Sequence, residues 1–157
     1  MVRGLRRAGR WLLRVRGPLG LTAAGLLLAA CGPPTGFVSG ADVDREAEEA
    51  RAVTPLPPGA TYPSYTHDPG GAYQPGSGRS EVEFQAMCAW FRYWAEAIAK
   101  DDQAAIDRAS TMWDEMRTWS PYRVADAARR RHLDSIVERA RLGDPSGFLD
   151  EVKLNCS

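Results

Sequence analysis

Two histidines, His67 and His132, are the side chains of this sequence whose type best suits proton exchange near neutral pH. His67 stands between Thr66 and Asp68 in a proline-rich stretch where no rigid element is predicted to hold it. His132 follows Arg129-Arg130-Arg131 on a predicted helix, where an inward position suits a hydrogen-bonded structural histidine better than a base. The adjacent acids Asp101-Asp102, Asp114-Glu115 and Asp150-Glu151 are candidates for the carboxylate pair of a glycoside-cleaving site. Acids at helix starts and on solvated faces are nevertheless ordinary. No serine lies in a Gly-x-Ser-x-Gly turn, and neither His-Glu-x-x-His nor Cys-x-x-Cys occurs. No catalytic residue, metal ligand or cofactor is therefore expected.

Two groups of residues suit binding rather than catalysis. Arg123, Arg129 and Arg130, with Arg131, could meet phosphate or carboxylate groups, because a planar guanidinium donates two parallel hydrogen bonds. Three successive residues on a helix point about 100° apart, so the run cannot close as a single clamp. The aromatic set Trp90, Tyr93, Trp94, Trp113, Trp119 and Tyr122 is dense for so short a region, and helical spacing assigns most of it to a core. Trp90, Tyr93 and Trp119 lie off the main stripes and are the rings expected at the surface, where a partner or sugar could meet them.

The elements that must position these groups begin with an export signal. Six arginines and no acid occupy the first sixteen residues, followed by the apolar run Leu19 to Ala30 and then Cys31. A basic region, an apolar region and small residues before a cut are the order of a secretory signal. Twelve residues are too few for a spanning helix, which needs about 20. Arg6-Arg7 fits a twin-arginine route, but Ala8 and Gly9 follow instead of a bulky apolar residue, so the route stays open.

Leu28-Ala29-Ala30-Cys31 resembles the lipobox of bacterial lipoproteins, and the resemblance covers residues 1–31 only. It implies cleavage before Cys31, a diacylglyceryl group on its thiol, and a mature chain held on the outer face of the cytoplasmic membrane. Two acyl chains at about 0.8 kcal/mol per buried CH₂ make such an anchor permanent on cellular timescales. Cleavage by an ordinary signal peptidase, leaving Cys31 as a free thiol, is the alternative. Richness in Ala, Arg, Gly, Asp and Pro behind an arginine-heavy signal looks like the small lipoproteins of high-GC Gram-positive bacteria.

Loss of the six signal arginines leaves 14 Lys and Arg against 20 Asp and Glu, a net charge of −6. That balance argues against nucleic acid, which selects a basic domain or stripe. With Cys31 assigned to lipid, Cys88 and Cys156 remain, and two cysteines in an exported chain most simply pair.

Three regions follow: a signal over 1–30, a lipidated N-terminus and Pro/Gly-rich tether over 31–80, and a helical domain over 81–157. As a flexible coil the tether would span about 35 to 40 Å. Within it, 41–52 forms at most a transient charged helix, while Tyr62, Tyr65 and Tyr73 suggest that part of 55–78 lies on the domain as a strap. Phe84, Met87, Cys88, Phe91, Trp94, Ala95 and Ile98 mark a central helix. Asp101 caps a second helix carrying Ala105, Ala109, Met112, Trp113 and Met116.

Ser120-Pro121 opens a third helix, with Tyr122, Ala125, Ala128, His132, Ile136 and Ala140 turned inward, and Asp144-Pro145 opens a short fourth. The sequence thus predicts an all-α domain of three to four helices, clamped by one disulfide. The function it favours is a non-enzymatic, membrane-anchored interaction or accessory module with a protein or cell-wall partner. A small-ligand or glycan binder using exposed tryptophans is the alternative, and a cell-wall hydrolase the third reading.

Overall fold

A computed structural model describes residues 36–156, so the expected signal and Cys31 lie outside the described residues. The chain is all-α: α1 (Gly40–Arg51), α2 (Ser77–Ala99), α3 (Gln103–Met116), α4 (Ser120–Arg123), α5 (Ala127–Arg141) and α6 (Ser146–Asn155). Four residues set three of the six described helix starts. Ser39 and Asp42 form a reciprocal capping box on α1, Asp102 accepts from the Ala105 amide, and Asp126 accepts from the Arg129 amide. Each satisfies backbone donors that the first turn cannot pair internally.

α2 is the axis of the core. Trp94, Phe91 and Phe148 are almost fully buried, with Phe148 of α6 stacked on Phe91 at 4.7 Å between ring centres and 5.1 Å from Trp94. Removing each such ring from water contributes about 2–3 kcal/mol. Trp113 of α3 meets Tyr122 of α4 edge to face at 5.6 Å. Gly147 lets α6 lie directly on α5, since a side chain there would collide with Ile136. The expected bridge is present: Cys88 of α2 is joined to Cys156 just past α6, with Cα atoms 5.7 Å apart.

Three expectations change. The helical unit takes in the chain from residue 36, not from 81: α1 packs along α2, and the described part of the expected tether lies on the domain. Gly40, Val43, Ala47 and Ala50 are buried, forming a stripe of small residues instead of large apolar ones. On α2, a Cβ at Gly78 would run into the Val43 carbonyl and come within 2.8 Å of the Ala47 nitrogen, so the two helices meet backbone to backbone.

Second, Asp102 rather than Asp101 caps α3; Asp101 adopts a positive φ of 54° in the turn before it. Third, the expected third helix is two. Ser120-Pro121 starts only the one-turn α4, and Asp126 then starts α5, which shifts the buried face to Leu133, Ile136, Val137 and Ala140. Ala128 and His132 consequently face solvent, His132 with 51% of its side chain exposed.

Between α1 and α2, residues 52–76 run as a strap without regular structure, fastened at several points. Tyr62 donates to the Thr54 carbonyl at 2.8 Å, and the Trp90 indole donates to the Pro55 carbonyl at 2.9 Å. Val38 and Tyr73 exchange both main-chain hydrogen bonds, at 2.8 and 3.0 Å, in a single antiparallel bridge.

Candidate functional site

The most concentrated polar cluster is built around His67, which the strap inserts between α1 and α2. Its Nδ1 lies 2.7 Å from Asp44 Oδ1 and its Nε2 3.1 Å from Glu81 Oε2. Its main-chain N–H also donates to Asp44, at 3.1 Å. Tyr65 and Tyr73 pack edge-on against the ring at 5.5 and 5.1 Å, leaving 14% of the side chain exposed. The His67 hydrogen bond holds the Asp44 carboxyl below the usual carboxylate range.

With a carboxylate against each ring nitrogen, this constellation ties the strap to α1 and α2. It escaped the sequence reading because Asp44, His67 and Glu81 are far apart in the chain. The one available signal was the three tyrosines among the prolines, since rings in a proline-rich segment need something to pack on.

A second constellation joins α5 to α6. Glu151, 3% exposed, receives both terminal nitrogens of the Arg129 guanidinium, and Asn155 donates to it at 3.1 Å. His132 Nε2 lies 3.5 Å from its other oxygen. Burial works to raise the Glu151 carboxyl, but the Arg129 hydrogen bonds and nearby cationic charge outweigh it and hold it below the ordinary value. The same pairing raises the Arg129 guanidinium further above neutrality.

The adjacent acids do not converge. Asp150 is exposed while Glu151 is buried, Asp102 is a helix cap, and Asp114 and Glu115 both lie on the surface of α3. A second buried acid, Glu83 of α2, accepts from the Ser120 main-chain N–H at 2.6 Å and fixes the start of α4.

The residues expected at a binding surface are placed as follows. Trp90 and Trp119 are buried, 3% and 5% exposed, which removes them as contact residues; the spacing misled because the strap and α4 cover the flank of α2 that three helices would leave bare. Tyr93 is half-buried, and its hydroxyl accepts from Arg108 at 3.2 Å. Arg129 is committed to Glu151, whereas Arg123 is exposed and Arg130 donates to the Arg123 carbonyl at 3.4 Å.

Shallow grooves flank α2. One of about 380 Å³ runs beside the disulfide between the strap residues Leu56 and Tyr62 and α2 residues Phe84, Gln85 and Arg92. Another of about 460 Å³ lies between Val53 and Thr54, the first turns of α2 at Arg79 and Glu83, and Trp119 to Arg123. Among the described residues no three His, Cys, Asp or Glu side chains group as metal ligands, and no helix is long and apolar enough to cross a membrane. No protein-family model matches the chain, and no curated protein and no solved structure is significantly similar to it.

Proposed function

We propose that this protein is a lipid-anchored, extracytoplasmic interaction or accessory module without catalytic activity. The anchor rests on Leu28-Ala29-Ala30-Cys31 at the end of a short apolar run behind six arginines. The observation that carries the rest is how the groups capable of chemistry are used: His67, Glu83, Arg129 and Glu151 each spend their hydrogen bonds joining one element to another. A disulfide between Cys88 and Cys156 suits a body displayed outside the cytoplasm. The glycan-binding alternative loses its main support, because Trp90 and Trp119 are packed inside.

Intact mass of the membrane-extracted protein, before and after reduction and alkylation, tests the reading. The expected mass is Cys31 to Ser157 plus a diacylglyceryl group, with two alkylation sites appearing only after reduction. An unlipidated mass would remove the anchor and the location with it.

A further inference from the structure

We infer that the middle of the strap is a latch worked by pH, closed while His67 carries a proton on both ring nitrogens and loosened when it gives one up. The latch uses only α1, α2 and the strap, and holds whether or not the chain is anchored. Its Nδ1 lies 2.7 Å from Asp44 Oδ1 and its Nε2 3.1 Å from Glu81 Oε2, and an ionised carboxylate only accepts. A neutral imidazole has one N–H, so its second nitrogen would set a lone pair against a carboxylate oxygen. Imidazolium alone donates to both.

The ring is held where a lost donor counts. Only 14% of the His67 side chain is exposed, and Tyr65 and Tyr73 stand edge-on to it. A side chain at Gly40 would collide with the Asp68 carbonyl, so the strap main chain beside His67 is laid directly on α1.

Few charged or titratable groups surround the ring. α1 contributes Asp44, with Arg51 farther along it over the Tyr65 ring at 5.3 Å; α2 contributes Glu81. The strap contributes Tyr65, Tyr73 and Asp68, the last accepting from the Gly70 amide at 2.9 Å. The His67 hydrogen bond holds the Asp44 carboxyl below the usual carboxylate range, so it stays ionised near neutrality. Burial first, and then the Glu81 charge, push the Tyr65 hydroxyl up, so it keeps its proton there. Histidine is the side chain in this set whose ordinary range of proton exchange lies near neutral pH. The closed latch binds one proton more than the open one, and rising pH therefore opens it.

From Ser64 to Ala72 the strap is tied to the helices by His67, through its main-chain N–H and both ring nitrogens. Tyr62 and the Val38–Tyr73 bridge fasten the flanks, so release frees the middle while the ends stay. Glu81 lines both the groove beside the disulfide and a second one of about 440 Å³ that reaches Pro121 and Leu133. An open latch leaves its carboxylate unpaired on the wall of each, so pH sets the charge those grooves present.

The full chain, with its disulfide intact and its histidine rings labelled with ¹⁵N, is followed by NMR and by hydrogen exchange as pH is raised from 5.5 until the His67 ring gives up one proton. Both ring nitrogens should be protonated at the start. Protection of the His67 amide, relative to an unstructured chain at the same pH, should fall about tenfold or more as the proton leaves, the effect of one charge-assisted hydrogen bond. The Phe91 and Trp94 amides of α2 should keep theirs. His67→Gln, which retains an N–H but cannot titrate, should show lower protection at residue 67 that does not vary with pH. A ring with one bare nitrogen at pH 5.5 and a fully protected amide overturns the double donation. Protection unchanged when the proton leaves, or the same fall in His67→Gln, overturns the latch. A fall shared equally by α2 assigns the effect to global unfolding and overturns it too.

Discussion

His67 Nδ1 lies 2.7 Å from Asp44 Oδ1, a contact that ties the strap to α1 across 23 residues of sequence, while the other ring nitrogen reaches Glu81 on α2. One imidazole thus joins three segments. Replacing it with alanine (His67→Ala) should lower the urea midpoint and leave the slope unchanged, because the strap loses its fastening while the core persists. Asp44→Asn should destabilise less, and the double variant should cost less than the two single changes added together. Additive costs would show that the pair acts independently.

Glycine at 78 is required by the α1–α2 contact. Gly78→Ala should cost about 1–3 kcal/mol, the range for forcing extra atoms into a filled contact, although alanine is the better helix former. Limited proteolysis should then cut first between α1 and α2. Unchanged stability in thermal unfolding would mean that α1 does not sit on α2 as described.

The disulfide closes a loop of 68 residues, which on the chain-entropy account contributes about 4 kcal/mol. Cys88→Ala/Cys156→Ala should fall by about that much in urea unfolding, and a reducing agent should have no further effect on it. The aromatic core around Trp94 and Phe148 does not depend on the bridge, so helical circular dichroism should survive in mild conditions.

Glu151 gives the chain a definite acid dependence. Its carboxyl is held below 4.5 in the fold, so the stability it contributes is complete above that value and is lost as pH falls through the lower folded value. Asp42, Asp44 and Asp144, lowered by their own hydrogen bonds, act in the same direction. Glu151→Gln should cost about 2–3 kcal/mol at pH 7, somewhat less than a fully buried pair because Arg129 keeps partial access to water. The difference between Glu151→Gln and the parent should shrink steadily below pH 4. A constant difference from pH 7 to pH 3 would contradict the pairing.

The sequence declared most of the helical core and the disulfide. Phe84 to Ile98 repeats at helical spacing, and with Cys31 read as the lipid site only Cys88 and Cys156 are left to pair. It did not declare α1, because the residues that α1 buries are Gly40 against the strap and Val43, Ala47 and Ala50 against α2, whose value lies in letting backbones approach and not in apolar size. Asp126 looked like one acid among others inside a continuous helix, yet its side chain starts α5 and turns the face of everything after it. The His67 cluster depends on three distant residues that only the finished packing of strap, α1 and α2 brings together. Burial of Trp90 and Trp119 follows from the same omission, since the strap carbonyl that receives the Trp90 indole belongs to the segment read as a tether.

The central claim is that the folded body already includes residues 36–76, with α1 and the strap as integral parts of it. Native-state hydrogen exchange on the reduced-free, full-length protein tests it most directly. Amides of α1 and the Val38 and Tyr73 amides of the bridge should exchange orders of magnitude more slowly than an unstructured chain, within reach of the protection in α2. Exchange at unstructured rates from residue 36 to 76, with protection starting only in α2, would contradict the account and restore a long tether.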